Sequence, residues 1–126
     1  MFSKISFLLF AILLFSFIGT KAQNVNLAPQ DFIAKIKVTK DAQLLDVRTP
    51  QEWQSGKIAS SNFINFNDAD FKQQIEKLDK NKPVFVYCAA GGRSSKATPI
   101  LQAAGFKQVY NLSGGGYKDL ANAGLK

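Results

Sequence analysis

The stretch Pro83–Ser94, PVFVYCAAGGRS, decides the fold. VFVY is β-branched and aromatic, the composition of a buried strand. Four small residues follow Cys88, and then come Arg93 and Ser94, the latter a good N-cap. A helix is expected from Ser94 to Ala104, stopped by Gly105 in a left-handed turn. A strand that passes through a short loop into a helix is half of a βαβ unit, and such units build parallel sheets. Cys88, the only cysteine in the chain, opens that loop.

The flanking sequence repeats the alternation. VNL (25–27) reads as a short first strand, and Pro29 and Asp31 open a helix whose Phe32, Ile33 and Ile36 share a face. QLLDV (43–47) is a strand apolar enough to be buried on both faces. Thr49-Pro50-Gln51-Glu52 is a capping box with proline at the first helical position, so a short helix carries Trp53, expected in the core. NFIN (62–65) is the third strand. Asp68 is expected to cap a helix with Phe71, Ile75 and Leu78 on one side. KQVYNL (107–112) is the last strand and Tyr117 to Ala123 the last helix. The expected fold is α/β, a single domain with a parallel sheet covered by helices on both faces.

The first 22 residues stand apart. Lys4 precedes an apolar run over 5–18 broken only by Ser6 and Ser16, and Thr20 and Ala22 fit the −3 and −1 places of a cut before Gln23. This is the pattern of a signal peptide over 1–22, with the domain over 23–126. The run is short against the roughly 20 residues of a membrane span, so no stable insertion is expected after cleavage. An exported, periplasmic or cell-envelope protein follows. The net charge of +7 falls to +5 because Lys4 and Lys21 leave with the signal. The remaining lysines are scattered without aromatic interleaving, which speaks against nucleic acid and gives a mild bias toward small anions. A monomer is the default.

With one cysteine the domain forms no internal disulfide, so Cys88 is free for chemistry. The chain has no histidine, which excludes His-assisted thiol catalysis and, with a single cysteine, argues against a metal site. No cofactor is called for. What remains is the address of the thiol, the carboxyl end of a central strand before a helix, where parallel sheets gather ligands. Ala89, Ala90, Gly91 and Gly92 let the backbone curl so that its N–H groups face inward and favour negative charge on sulfur. Arg93 either adds forked donors or ties the loop down. Such a setting lowers a thiol pKa and makes the thiolate the working species.

Several spaced segments resemble the rhodanese-like domains: LLDVRTPQEW and SGKI within 44–58, VYCAAGGRS (86–94), LQAAGF (101–106) and NLSGGGYKDLANAGL (111–125). The resemblance covers about residues 25–124. It implies a five-stranded parallel sheet flanked by helices, and a persulfide carried on Cys88. It further implies a ping-pong cycle in which Cys88 takes sulfane sulfur from a small anionic donor such as thiosulfate and a thiophilic acceptor such as cyanide removes it. The substrate-binding loop would be Ala89, Ala90, Gly91, Gly92, Arg93 and Ser94. Asp46 and Arg48 match the family's Asp-x-Arg signature and are read as structural support, an ion pair or hydrogen-bond set bracing the sheet edge near the loop.

Some positions depart from the family. Lys57 stands where many members have histidine, Leu120 lies near where many have tryptophan, and the glycine run 114–116 is one residue longer than usual. Pro99 falls inside the helix after the loop, where it removes a hydrogen bond and can kink the helix. Rival functions are a cysteine-based phosphatase or arsenate reductase, a non-catalytic interaction module of the same fold, and a thiol–disulfide oxidoreductase. The first uses five residues between cysteine and arginine, where this chain has four; inactive modules commonly lose the cysteine; the third needs a second cysteine.

Overall fold

A computed structural model describes residues 23–126; the expected signal peptide, residues 1–22, lies outside the described residues. The order of elements is β1 (Gln23–Leu27), α1 (Pro29–Val38), β2 (Gln43–Asp46), α2 (Pro50–Ser55), β3 (Asn62–Phe63), α3 (Phe71–Gln74) with a 3-10 turn at Ile75–Lys77, β4 (Val84–Tyr87), α4 (Gly92–Ala103), β5 (Gln108–Leu112) and α5 (Tyr117–Asn122). The five strands form one sheet in the order β1-β5-β4-β2-β3, and every pairing is parallel. The sequence expectation of a five-stranded parallel sheet holds.

Every residue of β4 is buried, because the strand lies at the sheet centre with a hydrophobic layer on each side. Strand alternation sends Val84 and Val86 to one face, with Leu45, Ile75, Ala97 and Leu101. Phe85 and Tyr87 go to the other, with Phe32, Tyr110, Leu112 and Leu120. Helices α3 and α4 thus cover one face, and α1 and α5 the other. Phe85 meets Phe32 edge-on at 5.3 Å and lies 4.7 Å from Tyr110, aromatic geometry that adds to area burial.

Three local expectations need correction. Asp68 does not cap α3. Its backbone carbonyl takes the Phe71 N–H, while its carboxylate accepts from Asn65 and Gln74, and Asp70 occupies the cap position without a side-chain bond to the helix backbone, its carboxylate accepting instead from the Gln74 amide. Trp53 is half-buried rather than core, edge-on to Phe63 at 5.4 Å beside the short β3, which is too brief to extend a roof over it. Helix α4 begins at Gly92 rather than Ser94, and it continues through Pro99 without a break. The capping box of α2 is formed as read: the Thr49 hydroxyl accepts from the Glu52 N–H, and the Glu52 carboxylate accepts from the Thr49 N–H.

Strand order also places the site. The connection leaving β4 runs to β5, and the one leaving β2 runs to β3 on the opposite side. Neighbouring strands whose connections diverge leave a crevice at their carboxyl ends, and Cys88 is the first residue beyond β4.

Candidate active site

Cys88 is 1 % exposed and lies beneath its own loop. The loop turns sharply because Gly91 takes φ +97°, a left-handed conformation that a side chain would strain. That turn makes Gly91 the N-cap of α4, three residues before the expected Ser94, and it aims the Gly91 N–H at Cys88 Sγ, 3.0 Å away. Ser94 therefore sits inside the first helical turn. Its hydroxyl donates to the Gly91 carbonyl at 3.2 Å and lies 3.6 Å from the sulfur. Burial of Cys88 by itself opposes ionisation. Hydrogen bonding with the Ser94 backbone and side chain, and with the Ala90 and Gly91 backbone, outweighs it and leaves the thiol pKa below its ordinary value.

Two other segments hold the loop. The Tyr87 carbonyl accepts from the Val47 N–H at 3.1 Å, and the Cys88 carbonyl accepts from the Tyr117 N–H at 2.9 Å. The approach of the glycine run is so close that a Cβ at Gly116 would overlap the Ala89 carbonyl. At Gly115 it would meet Asp119 and Pro29. Gly116 is thus a packing requirement of the Cys88 loop, while Gly115 is held small by α1 and α5.

Arg93 resolves the choice left by the sequence. It ties the loop down: Nη1 and Nη2 donate to the two oxygens of Glu52 at 2.6 and 3.0 Å. The Arg93 fork, followed by partial burial working the other way and by the Thr49 bonds, holds the Glu52 carboxyl at about 2. Glu52 thus caps α2 with one hand and anchors the α4 loop with the other. Sequence reading assigned only the capping role, since nothing in a 41-residue separation signals the pairing.

Asp46 and Arg48 form a buried ion pair, both Asp46 oxygens accepting from the guanidinium at 2.9 to 3.1 Å. Asp46 also accepts the Tyr87 hydroxyl at 2.7 Å, and Tyr87 meets Ser61 at 2.9 Å. Burial raises the Tyr87 pKa well above its ordinary value, so the phenol remains a donor. Arg48 further donates to the Gly56 carbonyl at 2.9 Å and lies over the Tyr117 ring at 3.9 Å. Through Tyr117 this network reaches the Cys88 carbonyl. Tyr87 and Tyr117 were not singled out from sequence, because a tyrosine in a strand or helix reads as packing until its hydroxyl or ring finds a partner.

Above the loop lies a cleft of about 430 Å³ lined by Arg48, Glu52, Ser55, Ala89, Tyr117 and Lys118. Ala89 and Ala90 are exposed at its side, so the small side chains leave the approach to the loop open. Small side chains, inward N–H groups and a buried sulfur of lowered pKa suit a thiolate nucleophile that carries an anion.

Comparison with known proteins agrees with this architecture. The chain is 38 % identical over 99 residues to the tRNA uridine(34) hydroxylase of Cytophaga hutchinsonii, covering 76 % of this chain but 31 % of that protein. It spans about a third of that relative's length. It is 38 % identical over 76 residues to the thiosulfate sulfurtransferase GlpE of Coxiella burnetii, 60 % of this chain and 69 % of that one. Among solved structures, a rhodanese-related protein from Thermoplasma volcanium matches with a TM-score of 0.65 and 28 % identity, covering 81 % of this chain and 95 % of that one. The polysulfide-sulfur transferase homodimer of Wolinella succinogenes matches with a TM-score of 0.62 and 34 % identity, covering 84 % and 79 %. The pattern of the family described as Rhodanese-like domain matches residues 28–122, and the chain belongs to that family.

Proposed function

We propose that this protein is a sulfurtransferase that carries sulfane sulfur as a persulfide on Cys88. The observation that carries the reading is the Gly91 N–H aimed at Cys88 Sγ from 3.0 Å, at a sulfur whose pKa is lowered by its loop. With thiosulfate as donor, the Cys88 thiolate attacks the outer sulfur and forms a new S–S bond. The old S–S bond breaks, and its electron pair leaves with sulfite. The persulfide anion produced is stabilised by the same preorganised N–H groups, which need no rearrangement as charge moves outward. A thiophilic acceptor then attacks the outer sulfur and returns the electron pair to Cys88.

The loop length supports this reading over a phosphatase. Four residues between Cys88 and Arg93 make a ring scaled to one sulfur atom, and each added residue would widen it by part of the ~3.8 Å Cα spacing. In the same reading residues 1–22 direct export to the periplasm or cell envelope, and the protein works as a monomer. Mass spectrometry after thiosulfate treatment tests the core of the proposal. One added sulfur on the wild type and none on Cys88→Ser is expected. Aryl-phosphate hydrolysis without any persulfide would overturn it.

A further inference from the structure

One buried side chain breaks the pattern of its strand. Strand β5 sends Val109 into the hydrophobic layer beneath α4, and alternation sends Asn111 to the same face, where it is fully buried. A strand covered on both faces asks for an apolar residue there. Asn111 carries a cost that an apolar residue would not, since its Oδ1 has no hydrogen-bond partner among the described residues. Its amide nitrogen, by contrast, is fully used. Nδ2 donates to Asn26 Oδ1 on β1 at 3.0 Å and to Ser95 Oγ on α4 at 3.2 Å.

Ser95 passes this contact on. Its oxygen accepts from Asn111, so its own proton is directed at the Gly91 carbonyl, 2.6 Å away. The same carbonyl accepts from the Ser95 N–H at 3.1 Å and from the Ser94 hydroxyl at 3.2 Å. A serine bonded to the carbonyl one turn back is common in helices. Here a second element orients that serine, and the carbonyl belongs to the left-handed residue whose N–H meets Cys88 Sγ at 3.0 Å.

We infer that Asn111 is a positioning residue for Cys88: acting through the Ser95 hydroxyl, it holds Gly91 in the conformation that keeps its N–H on the sulfur. Hydrogen bonds in such a chain polarise one another, each donor strengthening the next. Asn111 itself bonds to Asn26 and Ser95, not to the sulfur. On the sulfurtransferase reading the Gly91 N–H serves every turnover, so Asn111 contributes to sulfur transfer as well as to the state of the thiol.

The test follows thiolate absorbance against pH, sulfur transfer from thiosulfate to cyanide, and urea denaturation. It compares the wild type with Ser95→Ala, Asn111→Val, the double variant and Ser95→Thr. Ser95 and Asn26 are both exposed, so water replaces the bonds they lose. Asn111→Val should therefore unfold at the same urea concentration as the wild type or a higher one. Both single variants should nonetheless raise the midpoint of the thiolate titration. They should also slow sulfur transfer about 2- to 10-fold, the range of one neutral hydrogen bond. The double variant should be no worse than the poorer single one, because the two residues act as one chain. Ser95→Thr keeps the hydroxyl and should restore the wild-type titration. No charge changes in any variant, and the Arg93–Glu52 pair stays in place, so the midpoint reads hydrogen bonding. An unmoved midpoint in Ser95→Ala, additive effects in the double variant, or slowing that only tracks lost stability would overturn the inference. Midpoints that move as expected on a wild type forming no persulfide would overturn the sulfurtransferase reading and leave this one standing.

Discussion

At Cys88 two opposed effects act on one atom. Burial at 1 % exposure disfavours the thiolate, while backbone and Ser94 hydrogen bonds favour it and prevail. An ultraviolet titration of thiolate absorbance, with Cys88→Ser as blank, should give a midpoint below the roughly 8.5 of a free thiol. A midpoint at or above that value would show that burial wins. Glu52 supplies a second case. Its carboxyl falls from 4.5 to about 2, so the folded state favours the ionised form; this stabilisation is full above pH 4.5 and is lost as pH falls toward 2. Glu52→Gln keeps a side chain that can serve the capping box but removes the ion pair to Arg93. It should cost at most about 1 kcal/mol, as for a half-exposed pair, and flatten stability against pH in that window. Sulfur transfer should fall between about 5- and 100-fold through misplacement of the loop. Unchanged turnover would reduce Arg93 to a surface tether.

Among the elements, the approach of the glycine run to the reactive loop is the tightest fit. Gly116 has an extended backbone, φ −167°, so an alanine there suffers no backbone strain. Its Cβ would nonetheless overlap the Ala89 carbonyl, and α5 or the loop must move. Gly116→Ala should destabilise by about 1–3 kcal/mol and depress sulfur transfer more than its stability loss explains. Urea melts beside turnover assays would check this, and equal losses in both would refute a link to the loop. The elements themselves were largely legible in the sequence. VFVY announced a central strand because both its faces are apolar, and Thr49–Glu52 announced a capping box by type and spacing. The start of α4 was not legible. Ser94 is a better cap by composition, but Gly91 can take the left-handed turn that brings its N–H to the sulfur, and that demand comes from the site rather than from local propensity. Asp68 misled for a related reason. Its carboxylate prefers side-chain amides that the folded loop brings near.

Across the whole molecule, one buried network connects the sheet edge to the site. Ser61, Tyr87, Asp46 and Arg48 run in sequence to the Tyr117 ring, whose backbone N–H holds the Cys88 carbonyl. Asp46→Ala would strand the Arg48 charge in a site 4 % exposed, and the expected loss is about 3–5 kcal/mol in chemical denaturation. Tyr87→Phe leaves the ion pair in place and should cost only about 1–3 kcal/mol. Equal losses in the two variants would mean that the ion pair contributes nothing of its own. The sequence showed Asp46 and Arg48 as a pair, but not the chain of contacts behind them, because those partners are far apart along the backbone and meet only when the strands stack. Burial of the reactive sulfur has one more consequence. A bridge between two molecules needs their cysteine Cα atoms within about 7 Å, yet each Cys88 is shut beneath its own loop at the end of the middle strand. A bridge between two folded copies would require that loop to move first. Burial thus sets a barrier to cross-linking between folded copies, while the exposed Ala89 and Ala90 leave the loop itself open to small reagents.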